Sequence, residues 1–406
     1  MLNNKNILIA VTGSIAIYKT LELIRLYIKA GANVKVIMSE AAKKFVTPLT
    51  FETISQSKIL DDSNESWDKT SDYNHIAIGK WADIFVIAPC TANTINKLAH
   101  GIADNILTQS LLAYPFIKLL CPAANTNMLQ NPITIENLEK LTLNNYKVIE
   151  PVSKELACRD IGSGAMSEVE DIYFSTIKEL IQNEYWLDRK VVLSGGGTIE
   201  KIDDVRYISN YSSGKMASSL ALALYLKGAS VTLVSSRGYE NLPKDIYIKK
   251  VNSSNEMFKE LENSIKNAKE SIEKKPYFFM VAAVSDYIPS SPKEGKLKKD
   301  FIGKEWSLEL KQNIDILNSL NKEDIISIGF KAEMDENMAF DNAKNMIDKK
   351  SLDGVCLNII NEKNNFGSNN NEIELILENS SFNISGEKLE VSFEILKKLE
   401  VKFDED

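Results

Sequence analysis

Residues 190–236 open as KVVLSGGGT and close as SSGKMASSLALALYLKGASVTLVSS. Residues 6–40, NILIAVTGSIAIYK through LYIKAGANVKVIMSE, have already run through the same events in the same order. Each stretch has a strand apolar along its length, a glycine-serine turn, a helix, a glycine suited to a left-handed C-cap (Gly31, Gly228), and a second strand. Strands apolar on both faces that alternate with helices predict a parallel sheet covered on both sides. A third strand follows in each half, ADIFVIAP (82–89) and YFFMVAAV (277–284). Both end in small or polar residues, where doubly wound sheets place ligands. The fresh start near Lys190 divides the chain into two Rossmann-like α/β domains, 1–188 and 189–406. Each is expected to hold a mainly parallel sheet with helices on both faces. KELIQNEYWLD (178–188) reads as the last helix of the first domain plus the junction, and residues 290–304 as a polar, Lys-rich loop too long for an idle connection.

Bulk properties narrow the function. A chain of 406 residues, 44% hydrophobic, can bury a large core. Its net charge of −8 argues against nucleic-acid binding, which demands clustered Lys and Arg. Cysteines 90, 121, 158 and 356 are widely spaced with no CxxC pair, and there are two histidines, so a zinc ribbon or disulfide framework is not expected. The N-terminal apolar run is too short for a signal peptide and YFFMVAAV too short for a membrane span, so a cytoplasmic setting without membrane contact is expected.

The familiar nucleotide fingerprints fail. GxGxxG from Gly195 would need a third glycine where Glu200 stands, and a carboxylate there repels a pyrophosphate. SSGKM (212–216) lacks the P-loop Ser/Thr at Met216 and its first glycine at Ser209. What survives is physical: glycine turns with free N–H groups at helix N-termini can hold some phosphate, and serve equally well as tight structural turns.

Three polar residues of the first half are unremarkable alone. His75 in YNHIAIGKWAD reads as a histidine packed at a helix start, Asn125 in PAANTNM as a turn former, and Cys158 in ELACRDIGSGAMSE as buried filler. Their stretches, together with TGSIAIYK and APCTANTINKLAHGIADN, resemble the motifs of the homo-oligomeric flavin-containing cysteine decarboxylases. In the second half GGGTIEKIDDVRYISNYSSGKM, AAVSDYIPSSPKEGKLKK and IGFKAE resemble phosphopantothenate–cysteine ligase. In this order, over nearly the whole chain, the motifs are similar to those of the bifunctional bacterial coenzyme A biosynthesis proteins. Some positions depart from the family pattern: Ala124 and Leu129 replace Met and Trp, Ala165 replaces Arg, Ile314 replaces Pro and Met346 replaces Lys.

For the first half the resemblance implies a flavodoxin-like fold and FMN-dependent decarboxylation of 4′-phosphopantothenoylcysteine to 4′-phosphopantetheine. FMN oxidises the terminal thiol, carbon dioxide leaves with its electrons delocalised toward sulfur, and hydride returns. By resemblance Cys158 donates the final proton, a step suited to a thiol with its ordinary pKa of about 8.5. His75 orients the substrate and assists proton transfer, and Asn125 hydrogen-bonds the carboxylate without the ground-state stabilisation of an ion pair. Gly13, Ser14 and Ser39 lie near the FMN phosphate, and Thr91, Ala92 and Asn93 line the isoalloxazine. Trimeric contacts complete these sites.

For the second half the resemblance implies that CTP activates 4′-phosphopantothenate as an acyl-cytidylate, which cysteine's amine displaces with release of CMP. Backbone N–H groups of residues 195–198 would meet nucleotide phosphate and Mg2+ would screen it. Asn210 contacts the acyl-cytidylate and Lys296 meets phosphate charge. KLKK alone reads as a solvated charge run, but its start ten residues after Asp286 matches the family. Ala282, Asp286, Ile314, Asp315, Ile316, Leu317, Phe330 and Lys350 belong to the CTP pocket, with Lys344 available in place of the lysine missing at 346. Ligase contacts are dimeric. The competing readings are a single-activity decarboxylase with a degenerate second domain, a non-catalytic regulator on the same fold, and a prenylated-flavin-forming transferase, whose fold is similar but which lacks the cysteine-bearing loop.

Overall fold

The computed structural model describes residues 1–404 except 69–70, 156–160, 240, 271–272, 299–304, 362–363 and 365–366. Cys158 lies outside the described residues. Contacts divide the chain into two compact units, Met1–Ile181 and Gln182–Asp406.

In the first unit β1 (Asn6–Val11), β2 (Asn33–Met38), β3 (Ile84–Cys90), β4 (Lys118–Pro122) and β5 (Tyr146–Val148) form an all-parallel sheet in the order β2-β1-β3-β4-β5. Every residue of β3 is buried, as expected of a strand covered on both faces. Helix Ile17–Lys29 buries Ile17, Leu23, Ile24 and Tyr27, and Tyr27 Oη lies 2.6 Å from Thr176 Oγ1 of helix Val169–Ile181. Leu8, Ala10, Phe85 and Ile87, alternate residues on their strands, pack instead with Ile95, Leu107 and Leu111 of two other helices. The helix ends turn as read from sequence, with Gly31 at φ +95° and Gly228 at φ +105°.

A short antiparallel pair, β6 (Val152–Glu155) with β7 (Ile161–Ala165), follows β5. Its glycines permit a close approach. A Cβ on Gly164 would lie 2.1 Å from Ala124 O, and one on Gly162 2.0 Å from Thr126 Oγ1. β7 therefore lies directly on the turn that carries Asn125.

The second unit adds β8 (Lys190–Gly195), β9 (Ile199–Lys201), β10 (Tyr207–Ser209), β11 (Ser230–Ser235), β12 (Tyr247–Lys250), β13 (Tyr277–Met280), β14 (Tyr287–Pro289), β15 (Leu310–Gln312), β16 (Ile326–Glu333), β17 (Gly354–Ile359), β18 (Asn370–Leu377) and β19 (Ser380–Glu387). Eight of them form one sheet, β12-β11-β8-β13-β16-β17-β18-β19. It is parallel as far as β17 and antiparallel over β18 and β19. The sheet is thus mainly parallel, with an antiparallel edge. The small ladders β9/β10 and β14/β15 stand apart from it. Residues 182–188 pack within this unit: Asn183 donates to the Glu400 carboxylate at 2.9 Å, and fully buried Trp186 meets Tyr277 with ring centroids 4.8 Å apart.

Candidate active sites

In the first unit a cleft of about 550 Å³ gathers residues that follow the C-terminal ends of four parallel strands. Gly13 and Ser14 come after β1, Ser39 after β2, Thr91, Ala92 and Asn93 after β3, and Ala123 and Ala124 after β4. All six residues assigned to FMN from the sequence line this one space. Gly13 is required by contact, since a Cβ there would lie 2.5 Å from Ala41 Cβ. Buried Thr12 fixes the turn: its hydroxyl donates to Pro89 O at 2.7 Å and accepts from Thr91 N at 3.0 Å. Thr91 in turn caps helix Ala92–Ala99, accepting from Thr94 N. Lys97 lines the cleft but is tied to Asp104 at 2.6 Å, and Glu40 and Asp62 also face the space. A phosphate here would be met by N–H groups and hydroxyls rather than by a free cation.

His75 and Asn125 do not line this cleft. His75 opens helix His75–Trp81, capped by Asn74, and its Nδ1 lies 2.6 Å from Glu65 Oε1. The Asn125 side chain caps the turn Thr126–Leu129, accepting from Asn127 N at 2.9 Å, while its neighbours Ala124 and Met128 reach the cleft. Leu129, where the family has Trp, is buried in the core. Ala165 pairs in register with Val152. Cys90, Cys121 and Cys356 are fully buried, and burial pushes each thiol well above its ordinary range.

The second unit holds a cavity of about 700 Å³. Gly196 sits at φ +78° and a Cβ there would lie 2.4 Å from Ser236 Oγ; Gly214, at φ +72°, begins helix Lys215–Leu226. Asn210 lines the cavity and its amide donates to Val284 O at 2.9 Å. Ala282, Asp286, Phe330 and Lys350 line it too, and Lys350 carries Asp315 with it through an ion pair of 2.8 Å. Burial pushes the Asp315 carboxyl up, but the hydrogen bonds from Lys350 and Asn318 N outweigh it and hold it below its usual range. Ile316 and Leu317 are buried in the apolar core, and Ile314 is partly exposed. Met346 lines the cavity, whereas the Lys344 ammonium sits 4.7 Å from the centre of the Phe340 ring. Lys296 is exposed; its neighbours Gly295 N and Leu297 N donate to Asp204 and Asp203, which pins this loop to the β9–β10 hairpin.

Several lining residues escaped the sequence reading, Asn371 and Lys388 among them. Lys388, at the start of the last helix, is buried, donates to Ser368 O and to Asn370 O, and is pushed down by burial and by Lys215. It reaches the cavity through the antiparallel edge, which nothing in KLEVSFE announces. Among the described residues no group of three or more His, Cys, Asp or Glu is placed to hold a metal, and no helix is long and apolar enough to cross a membrane.

Comparison with known proteins places both halves. The family described as Flavoprotein matches residues 1–181, and the family described as DNA/pantothenate metabolism flavoprotein C-terminal domain matches residues 186–402. The coenzyme A biosynthesis bifunctional protein CoaBC of Borreliella burgdorferi is 37% identical over 97% of this chain and 98% of its own length. That of Bacillus subtilis is 37% identical over 98% and 97%, and that of Escherichia coli 33% identical over 100% and 98%. Among solved structures, a PPC decarboxylase mutant complexed with pantothenoylaminoethenethiol covers 44% of the chain at 35% identity and TM-score 0.40, with 98% of its own chain covered. The C-terminal domain of a CoaBC protein covers 55% at 25% identity and TM-score 0.44, with its own chain fully covered. The chain belongs to the family of bifunctional coenzyme A biosynthesis proteins, a flavoprotein decarboxylase joined to a ligase.

Proposed function

We propose that the first unit's cleft holds FMN for decarboxylation of 4′-phosphopantothenoylcysteine, and that the second unit's cavity holds CTP for ligating cysteine to 4′-phosphopantothenate. The observation that carries this reading is the convergence of Gly13, Ser14, Ser39, Thr91, Ala92 and Asn93 on a single cleft at strand C-terminal ends. The residues present fit a flavin nucleotide. Hydroxyls and the turn after β1 suit its phosphate, small Ala92, Ala123 and Ala124 leave room for a flat ring, and the Gly13 turn tolerates no side chain.

When bound, FMN supplies the two-electron chemistry that converts the substrate thiol and later restores it. The chain's own residues do the rest. Cys158 delivers the closing proton, and the sequestration of the three described cysteines supports giving that role to the fourth. Asn125 holds the substrate carboxylate through a neutral amide, and His75 orients substrate and assists proton transfer. His75 and Asn125 lie off the cleft of their own unit, in keeping with sites completed across trimeric contacts.

In the second unit Asn210 polarises the acyl phosphate, Asp286 and Phe330 line the nucleotide pocket, and the Lys350–Asp315 pair fixes its wall. Lys296 comes in on the pinned loop to meet phosphate charge. Mg2+ is held chiefly by nucleotide phosphates, consistent with its preference for retaining water. The protein works in the cytoplasm as a homo-oligomer, with dimeric contacts between ligase units.

Two single variants test the division of labour. Cys158→Ala should release CMP at the wild-type rate and form 4′-phosphopantetheine at least about 100-fold more slowly, because the cycle stalls after carbon dioxide has left. Asn210→Ala should lose CMP release and still decarboxylate supplied 4′-phosphopantothenoylcysteine. Unchanged product formation by either variant contradicts its assignment.

A further inference from the structure

We propose that Glu65 is the positioning residue for His75, holding the imidazole with Nδ1 protonated so that Nε2 is the nitrogen presented to substrate. The proposal rests on the assignment of His75 to the decarboxylation site. Glu65 lies ten residues upstream of His75, and its Oε1 is 2.6 Å from His75 Nδ1 and 3.4 Å from His75 N. An ionised carboxylate only accepts hydrogen bonds, so the ring nitrogen facing it must carry the proton. In the neutral imidazole the remaining lone pair then belongs to Nε2.

The pair is not a loose surface contact of the kind worth little. The side chains are 12% and 22% exposed, and hydrogen bonds of neighbouring residues hold the two stretches that carry them. Asn74 Oδ1 accepts from Ile76 N and Ala77 N, setting the direction in which the helix leaves His75. Ser66 N donates to Tyr73 O at 2.7 Å, tying the stretch that carries Glu65 to the one that carries His75. Trp67 stands edge-on to the imidazole with ring centroids 5.8 Å apart. The same polar stretch sends Asp62 into the cleft, where its carboxylate accepts from Ile106 N at 2.7 Å. Glu65 thus links the orientation of His75 to a wall of the cleft.

The chain has two histidines, His75 and His100, so the tautomer can be read directly. The experiment takes full-length holoprotein labelled with 15N-histidine and records magic-angle-spinning 15N spectra, with a His100→Gln variant for assignment. Wild type should show a protonated Nδ1 and an unprotonated Nε2 for His75. Glu65→Gln, whose amide can donate as well as accept, should show mixed tautomers. Its decarboxylation kcat should fall about 10- to 100-fold while KM moves less than about 3-fold and CMP release is unchanged; Glu65→Asp should recover part of the loss. Either an unchanged kcat or an unchanged tautomer in Glu65→Gln overturns the proposal. His75→Gln turning over at the wild-type rate overturns the site reading beneath it, a separate outcome.

Discussion

Lys118 shows how far one side chain's surroundings depart from its letter. In the strand IKLLC it looks like an ordinary flank, yet it is 5% exposed, with its ammonium 4.7 Å from the centre of the Tyr146 ring and a hydrogen bond to Phe116 O. Burial pushes it down to about 8. The folded value lies below the unfolded one, so the unfolded chain holds the proton more tightly and protonated Lys118 opposes folding at neutral pH. That opposition fades as pH rises from about 8 toward about 10.5 and is worth on the order of 3 kcal/mol at most. In denaturant titrations the stability of wild type relative to Lys118→Met should therefore improve by up to about 3 kcal/mol across that window. A constant difference would contradict the burial argument. Single residues of the site were legible unevenly for the same reason. Small residues at strand ends announce themselves, whereas Glu65 sits in DDSNESWD, a polar stretch without periodicity, and acquires its meaning only when the chain folds back on His75.

At the scale of elements, the turn after β1 decides whether the first site exists. Its glycine is dictated by the approach of Ala41 and not by a left-handed backbone, since Gly13 is absent from the positive-φ glycines. Gly13→Ala should push apart the β1 and β2 turns and purify with flavin absorbance reduced at least about 10-fold, while CMP release persists. Full flavin content would show that the turn yields without cost. The strand–turn–helix units at 6–40 and 190–236 were readable because apolar runs and glycine stops are local signals. The antiparallel edge was not. β18 pairs with β17 on one side and with β19 on the other, and that pairing carries Asn371 and Lys388 to the cavity wall. The glycines of IGSGA were visible as letters, but their purpose, laying β7 on the Asn125 turn, depends on a contact some forty residues away.

For the whole molecule, two units on one chain carry consecutive chemistry, and the ligase product is the decarboxylase substrate. Each unit has its own sheet, core and cavity, so a defect in one should leave the other working. The most direct measurement gives the purified chain 4′-phosphopantothenate, cysteine, CTP and Mg2+, and follows CMP, 4′-phosphopantothenoylcysteine and 4′-phosphopantetheine by mass spectrometry. The account predicts 4′-phosphopantetheine accumulating with one CMP released per product and the acylcysteine passing through a transient maximum. CMP release that ends at the acylcysteine, or no CMP at all, would contradict it.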